Sequence, residues 1–391
     1  MTTIQELANQ LAPDYIAVRR HLHANPEISY KEYETSAFVQ DHLRQLDIPF
    51  VTMADTGVVG IIEGKYPSSR IMALRADMDA LPITEANDLD YKSTKPGLMH
   101  ACGHDAHTAV LLGAANVLKQ TAKDWEGTVK LVFQPGEERN PGGASYMIRD
   151  GVLENPKPEG IVALHVHPQL PVGQLSFRTG TVMASADELY ITITGKGGHA
   201  AAPHLTRDTI LAASHLVVSL QQIVSRNNNP LNPTVLSITS FQGGYTTNVI
   251  PSEVKLMGTL RCLDEQWRKQ AHELIAQQVK HIGEAFGVGT DLHIDIGYPT
   301  VLNNPTLTQH AWALAEDLMG KANVSETEMR MGAEDFGYYA QQIPACFYRL
   351  GVMNTEKGIT SGVHTPTFNI DEDAIAIGMA SMAWLGATLR M

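Results

Sequence analysis

The order of apolar segments constrains the fold of this chain more than any other feature of its sequence. Through residues 1–185, continuous apolar runs such as GIVALHV alternate with stretches of helical spacing such as HTAVLLGAANVLKQ. Continuous apolar runs are typical of strands buried on both faces. The alternation predicts an α/β domain with a mixed central sheet flanked by helices, and sites in such sheets gather beyond the carboxyl ends of the strands. The runs GVVGIIEG and RIMALRADMDALP are predicted to be neighbouring strands.

The pattern changes near residue 186. Strictly alternating runs such as ELYITIT and EVKLMGTLRCL, together with two helical stretches, follow the order β-α-β-β-α-β over residues 186–296. This order is typical of a ferredoxin-like α+β domain. The α/β pattern returns from residue 297. We therefore expect one discontinuous domain, 1–185 and 297–391, interrupted by an inserted domain, 186–296.

Composition and charge exclude several classes of protein. The chain has 391 residues, of which 43% are hydrophobic, and a formal net charge of −13. A negative surface repels phosphate backbones and anionic membranes, so neither nucleic acid nor a membrane is expected as a partner. No apolar run approaches the roughly 18 residues of a membrane span, and the N-terminus lacks a signal-peptide pattern. Three cysteines are too few and too scattered for a disulfide framework, which favours a cytoplasmic location.

The segment LMHACGHDAHTAV concentrates thiol and imidazole groups in a few positions. Cys102 and His104 flank one glycine, so a tight turn can direct both side chains at a common point, and both are good ligands for first-row metals. His100 and His107 are either further ligands or residues that support the ligands and the helix start. The alternative for the whole segment is a polar helix N-terminus in which the histidines occur by chance.

Further candidate ligands follow at strand ends and in a late loop. Glu137 and Glu138 are adjacent in QPGEE, so one carboxylate can bind a metal while the other remains a base. HVHP places His165 and His167 on one face of a strand, where we expect one ligand and one neighbour. His364 lies in the loop GVHTPTF. Together these groups exceed what one tetrahedral zinc ion needs, and they would suffice for two metal ions about 3.5 Å apart.

With these residues in view, the chain resembles a known family. The segments that carry the resemblance run in one order along nearly the whole length: RADMDALPI, HACGHDAH, GEE, HVHP, GGHAAAPH, TNVIP, GTLR, GAEDF and VHTP. They look like the di-metal amidohydrolase and zinc carboxypeptidase family, in its branch of aminoacylases, hippurate hydrolases and auxin-conjugate hydrolases. The combination is specific, whereas a single motif would not suffice. The resemblance implies a zinc-exopeptidase-like fold whose inserted domain acts as a lid and pairs protomers into a homodimer or a dimer of dimers.

The resemblance also implies roles in the main domain. Two divalent ions (Zn, Mn, Co or Ni) are implied, bridged by Cys102. One ion is completed by His104 and His165, and the other by Glu138 and His364. The remaining glutamate, Glu137, is implied as the general base that takes a proton from the metal-bridging water and later delivers it to the departing amine.

Two aspartates depart from the pattern of the peptidase branches. Relatives there carry a histidine two residues before the aspartate of the strand-end motif, and an aspartate as the bridge; here these positions read Asp77, before Asp79, and Cys102. This departure argues against Asp77 as a ligand. We expect Asp77 and Asp79 to lie behind the ligands, where they orient imidazole N–H groups. A thiolate bridge also makes the site prone to oxidation.

The inserted domain is implied to contribute substrate contacts. His199 in GGHAAAPH would donate to the developing oxyanion, and Asn248 with Arg261 would clamp the substrate, since the planar guanidinium suits a free α-carboxylate. The alternatives are a loop residue for His199 and an edge-strand surface charge for Arg261. The implied reaction is hydrolysis of the amide bond of small N-acyl-L-amino acids, with N-acetyl or N-aroyl groups.

Other functions remain as alternatives at this point. On the same fold, a dipeptidase, a carboxypeptidase or an N-acetyl-diaminopimelate deacetylase would differ only in the lining of the pocket. A non-catalytic binding protein is disfavoured because every ligand position and Glu137 are present. A structural single-zinc protein would need neither a second set of ligands nor a spare base.

Overall fold

The computed structural model describes residues 2–391 and divides into two compact units. The first unit comprises the segment ending at Val182 together with Leu302–Glu328 and Asp335–Met391. The second comprises Met183–Val301 and Met329–Glu334. The short segment Met329–Glu334 belongs to the second unit, although it follows Leu302–Glu328, which is part of the first. The sequence pattern did not predict this second excursion of the chain. The lid role of the inserted segment stays a prediction.

Eight strands of the described chain form the mixed sheet of the first unit, in the order β1-β2-β4-β3-β5-β16-β6-β15. Two further short strands, β7 and β14, pair with each other. The α/β architecture predicted from the alternating segments is confirmed. The strand bounds are β1 (Phe50–Met53), β2 (Gly57–Glu63), β3 (Tyr66–Asp77), β4 (Glu126–Gln134), β5 (Gly160–Pro171), β6 (Leu175–Phe177), β7 (Gly180–Met183), β14 (Val301–Asn303), β15 (Val324–Glu326) and β16 (Ala345–Met353).

The prediction that β2 and β3 are neighbours is wrong, because β4 lies between them. β4 pairs antiparallel with β2 and parallel with β3. The two residues that link β2 to β3 also bond to the chain around the start of β4: the Gly64 N–H donates to the Gly127 carbonyl and the Lys65 N–H to the Ala122 carbonyl. The facing edges of β2 and β3 are therefore both satisfied by β4, so no direct β2–β3 ladder is needed.

Helices cover the sheet of the first unit, and the most buried of them leads to the candidate site. This helix, α3, is buried over nearly its whole length and packs against both α1 and α9. It begins at His104, three residues before the stretch with helical spacing, which begins at His107. Cys102 therefore lies just before its first turn. The helix bounds are α1 (Thr2–Ala24), α2 (Tyr33–Gln45), α3 (His104–Gln120), α4 (Gly143–Arg149), α7 (Pro305–Met319), α8 (Gly337–Ala340) and α9 (Asp373–Thr388).

The second unit has the ferredoxin-like arrangement that the alternating strands predicted. Its antiparallel sheet has the order β10-β12-β8-β13, and alternate residues of β8 (Leu189, Ile191 and Ile193) are buried in a core with the two helices. Asp208 and Asp264 cap the two helices by accepting hydrogen bonds from backbone N–H groups. The elements are β8 (Asp187–Thr194), β9 (Gly198–His199), α5 (Thr209–Gln222), β10 (Thr234–Gln242), β11 (Val249–Ile250), β12 (Glu253–Cys262), α6 (Glu265–Phe286) and β13 (Gly289–Ile296).

Hydropathy along the helices bears on the membrane question. Among residues 2–391, none of the helices combines the length and the apolar character that a bilayer crossing requires.

Candidate metal centre

The turn before α3 brings a thiol and an imidazole to one point. Gly103 adopts a left-handed conformation (φ 90°) as the N-cap of α3, so the side chains on either side of it converge. The donor atoms of Cys102, His104 and His165 lie within 4.8 Å of one another. The Cys102 Sγ is 3.4 Å from the His165 Nε2. The sequence placed these residue types around one glycine, and the fold adds His165 from β5.

A second group of donors shares the same thiol. The donor atoms of Cys102, Glu138 and His364 also lie within 4.8 Å of one another, and the His364 Nε2 is 3.3 Å from the Glu138 Oε1. The His364 loop is held there by its backbone N–H, which donates to the Ala101 carbonyl at 2.7 Å. Cys102 therefore lies where two sets of three donors meet, a geometry that suits a ligand shared between two ions.

Asp79 fixes the positions of several candidate residues at once. Its Oδ1 accepts from the His104 Nδ1 at 3.2 Å and from the Glu137 backbone N–H at 3.0 Å. Its Oδ2 accepts from the Glu138 backbone N–H at 2.9 Å and from the Ser29 hydroxyl at 2.6 Å. Burial alone would raise the pKa of Asp79, but these donors, His104 foremost, hold it below its usual range. One buried carboxylate thus orients an imidazole and the turn that carries both glutamates.

The surroundings of His104 show whether these residues fit a cation. Its Nδ1 donates to Asp79, and its Nε2 is buried without a hydrogen-bond partner among residues 2–391. Burial opposes a charged imidazole, yet Asp77 and Asp79 outweigh it and raise the pKa of His104 to about 10. The surroundings of Nε2 therefore favour positive charge in the metal-free protein. A divalent ion supplies that charge and pairs with the Nε2 lone pair, so the donor set fits a metal.

The Cys102 thiol is held in its protonated form when no metal is bound. Burial raises the pKa of Cys102 well above its usual value, and Glu138 and Glu137 add to the effect. A buried thiolate beside carboxylates is unstable without a compensating cation. Metal binding at Cys102 therefore releases a proton, as at other cysteine sites.

Three other histidines of the motifs take different places. The donor atoms of Asp77, His104 and His107 also lie within 4.8 Å of one another. Both ring nitrogens of His107 are nevertheless occupied by hydrogen bonds, to Asp77 (2.5 Å) and to the Val166 backbone (2.9 Å), so His107 has no free lone pair for a metal. His100 is buried, and burial lowers its pKa to about 4, which keeps it neutral. His167 belongs to none of the donor groups found among residues 2–391.

The network behind the ligands includes Arg75 and Gln134, which the sequence had not assigned to the site, and Asp335, which the segment GAEDF had placed near it as a supporting group. Arg75 lies in β3, and its guanidinium bonds to Asp77 (2.6 Å) and to Asp335 (2.9 Å). The Gln134 amide bonds to the same Asp335 carboxylate. Burial alone would raise the pKa of Asp77, but Arg75 holds it well below its usual range. The sequence does carry a signal, since Arg75 is a charge inside an otherwise apolar run, MALRAD, and a fully buried charge requires a partner.

Gly103→Ala is expected to weaken metal binding as well as stability. A Cβ at Gly103 would lie 2.5 Å from the Val166 Cγ2, and the left-handed conformation costs a residue with a side chain about 1–2 kcal/mol. Gly97 is the matched control, because its φ is 81° and a Cβ there would meet nothing within 4 Å. Thermal unfolding of both metal-free variants and chelator competition for metal would check this. Equal metal affinity in Gly103→Ala and Gly97→Ala would contradict it.

The residues predicted to contact substrate from the inserted segment lie in the second unit. His199 in β9 pairs with Val249 in β11, directly after Asn248, and the Ala200 N–H donates to the Asn248 carbonyl at 2.9 Å. The His199 Nδ1 accepts from the Ala201 N–H at 3.1 Å. Arg261 lies in β12, where its guanidinium bonds to the Thr259 hydroxyl and the Leu260 carbonyl. Within this unit, the fold therefore brings His199 and Asn248 together, and Arg261 lies on a separate strand.

Comparison with known proteins adds to this geometry. The sequence pattern of Peptidase family M20/M25/M40 matches residues 73–385. The chain is 41% identical over 377 residues to IAA-amino acid hydrolase ILR1-like 4 of Arabidopsis thaliana, covering 94% of this chain and 84% of that one. It is 40% identical over 368 residues to the N-acetyl-L-cysteine deacetylase of Bacillus subtilis, covering 93% and 85%. A solved Bacillus subtilis structure, described as a dinuclear metal binding peptidase from the M20 family, matches with a TM-score of 0.84 and 32% identity over 97% of this chain and 98% of that one.

Proposed function

Because this chain belongs to Peptidase family M20/M25/M40, we propose that it is a metal-dependent amidohydrolase that cleaves the amide bond of N-acyl-L-amino acids. The observation that carries the proposal is the position of the Cys102 thiol, which is common to two sets of three donor atoms. A structural zinc site closes with four ligands and has no use for a second set. A shared thiol therefore favours a site built for two ions and for chemistry.

The residues proposed to hold the ions are those that the structure brings around Cys102. His104 and His165 would complete one ion, and Glu138 and His364 the other. The metal pair supplies Lewis-acid polarisation of the scissile carbonyl and lowers the pKa of water toward neutrality. Zn, Mn, Co and Ni are all compatible with a donor set of one thiol, three imidazoles and one carboxylate.

Glu137 is proposed as the general base. The Glu137 backbone N–H donates to Asp79 at 3.0 Å, and the Glu137 Oε2 lies 4.0 Å from the His104 Nε2. The Glu137 carboxylate is therefore beside the proposed ions. Among residues 2–391, Glu137 belongs to neither donor group that contains Cys102, although its carboxylate forms a further donor group with His104 and Glu138. A carboxylate in this position can accept a proton from attacking water and deliver it to the amine nitrogen as the amide breaks.

The substrate class rests on what the named relatives have in common. An IAA-amino acid and N-acetyl-L-cysteine are both amino acids that carry an acyl group on nitrogen. On this chain, Arg261 and Asn248 are proposed to bind the free carboxylate, and His199 to stabilise the oxyanion. The inserted domain, 186–296, is proposed as a lid that also pairs protomers, and a cytoplasmic location remains a prediction from the cysteine content.

Metal removal combined with a substrate panel tests the proposal. Protein purified without chelator is expected to contain about two metal ions per chain. It should hydrolyse N-acetyl-methionine or hippurate, lose this activity on chelation without unfolding, and regain it with Mn²⁺ or Zn²⁺. Dipeptides serve as the comparison substrates. Turnover of dipeptides alone would show that the enzyme is a dipeptidase and that the proposed substrate class is wrong. One tightly held ion, no turnover, and unfolding on its removal would overturn the proposed function.

A further inference from the structure

β3 and β5 separate where the candidate ligands begin. The parallel pairing between them runs from Met72 opposite Gly160 to Arg75 opposite Ala163. β5 nevertheless continues to Pro171, and on its other side it stays paired with β16 through His165 and Val166. The edge of β5 that faces β3 therefore loses its strand partner just before His165. A buried backbone N–H on that edge needs another acceptor.

His107 occupies this gap. The Val166 N–H donates to the His107 Nε2 at 2.9 Å, and the His107 Nδ1 contacts the Asp77 Oδ1 at 2.5 Å. A peptide N–H can only donate, so Nε2 must carry the lone pair and Nδ1 the proton. Asp77 is the last residue of β3. One imidazole thus joins the end of β3 to β5 in place of the missing ladder.

Val166, the residue of β5 whose N–H is bound by His107, also orients a proposed metal ligand. The His165 Nδ1 donates to the Val166 carbonyl at 2.7 Å, so its proton lies on Nδ1. The lone pair is then on Nε2, the atom that lies 3.4 Å from the Cys102 Sγ. Val166 is therefore held at its N–H by His107 and, at its carbonyl, holds the ring of His165.

The far end of this connection is rigid. The Asp77 Oδ2 accepts from Arg75 at 2.6 Å, and Arg75 also bonds to Asp335 at 2.9 Å. The side chains of all three are fully buried. Asp335 in turn accepts from the Ala144 backbone N–H at 3.0 Å. Buried charges that are paired at both ends do not reorient freely, so they fix the position of His107.

We propose that His107 is a positioning residue for the metal centre: it holds Val166 so that the His165 Nε2 faces Cys102. The inference rests on the proposed function only in taking His165 as a ligand. Groups that orient a ligand in this way usually change metal affinity by about 10–100-fold when they are removed. A histidine that served the core alone would change stability and leave the affinity of each ion unaltered.

Two substitutions separate these roles. In His107→Asn the amide lies near the former Nδ1, so it keeps the contact with Asp77 and loses the acceptor for Val166. In His107→Gln the amide reaches toward the former Nε2 and can accept from Val166. Thr108→Val is the matched control, because it removes the neighbouring buried hydrogen bond from Thr108 to the Asp77 carbonyl, at 2.9 Å, and leaves the hydrogen bonds of Val166 and His165 in place.

The experiment titrates each metal-free protein with Co²⁺ and follows the visible absorption of the bound ion together with chelator competition. We expect one of the two binding steps to weaken by at least about 10-fold in His107→Asn, and His107→Gln to recover most of this loss. Thr108→Val should lose stability without losing affinity. Unchanged affinity in His107→Asn, or equal losses in His107→Asn and Thr108→Val, would overturn the inference.

A measurement on the unmodified chain keeps the test independent of variant folding. Long-range ¹H–¹⁵N spectra of metal-free protein labelled at histidine nitrogen should show the proton on Nδ1 in both His107 and His165. A proton on Nε2 of His107 would overturn the inference. Failure of the wild-type protein to bind two Co²⁺ ions would instead contradict the proposed function, so the two failures are distinguishable.

Discussion

Replacing Glu137 by glutamine is expected to lower kcat by about 10²–10⁴-fold while the protein keeps its full metal content. The amide is close to isosteric with the carboxylate, so the hydrogen bond from the Glu137 N–H to Asp79 and the turn that it anchors should persist. What the substitution removes is the carboxylate that we propose accepts and returns a proton. Steady-state kinetics with an N-acyl amino acid, alongside metal analysis of the same sample, would measure both quantities.

The adjacent residue provides the control for this prediction. Glu138→Gln changes the same chemistry one position along the chain, but the Glu138 carboxylate lies in a donor group with Cys102 and His364. This variant should therefore lose one ion, and added metal should restore part of its activity. If Glu137→Gln lost metal and Glu138→Gln did not, the two roles would be exchanged. If neither variant lost activity, the proposed mechanism would be wrong.

Cys102→Ala is expected to remove both ions together, with activity falling to background. Its thiol is the atom shared by the two donor groups, so its loss leaves two donors in each, fewer than the three protein ligands typical of catalytic sites. Metal analysis after dialysis, and the number of Co²⁺ ions bound by the metal-free protein, would show the change.

Cys346→Ala is the matched control for the loss of the thiol that is proposed to bridge the two ions. Cys346 is also a buried cysteine of the first unit, it lies in β16, and it is in none of the donor groups of the described residues. The control should lose some stability through the small cavity that it creates and should retain both ions. Loss of a single ion in Cys102→Ala would show that the thiol serves one ion and is not shared.

The sequence predicted the types of element better than their arrangement in the sheet. Apolar periodicity identifies β2, β3 and β4 as strands, but it carries no information on which of them pair. The order depends on β4, which follows both strands in the sequence and pairs with each of them. Such long-range pairing is decided by tertiary contacts rather than local propensity.

The parts of the candidate site that lie within one short motif could be predicted from the sequence. The contacts between residues that are distant in the sequence could not. Cys102, Gly103 and His104 are local, and the left-handed glycine is what their spacing suggests. The role of His107 could not be read in the same way, because its ring bridges the ends of two strands. Asp79 was expected to orient an imidazole, and the structure adds its bonds to the backbone of Glu137 and Glu138.

The discontinuity of the first unit bears on how a newly made chain acquires its metals. β5 is completed on one side by β16, which follows the whole of the segment Met183–Val301 in the sequence, and His364 follows later still. On the ribosome, Cys102 and His104 therefore emerge long before the strand and loop that finish their surroundings. Such non-local pairing is slow and leaves apolar strand edges exposed in the meantime. With His165 and His364 as the proposed ligands, capture of the full metal pair is expected among the last events of biogenesis, after nearly the entire chain has emerged from the ribosome.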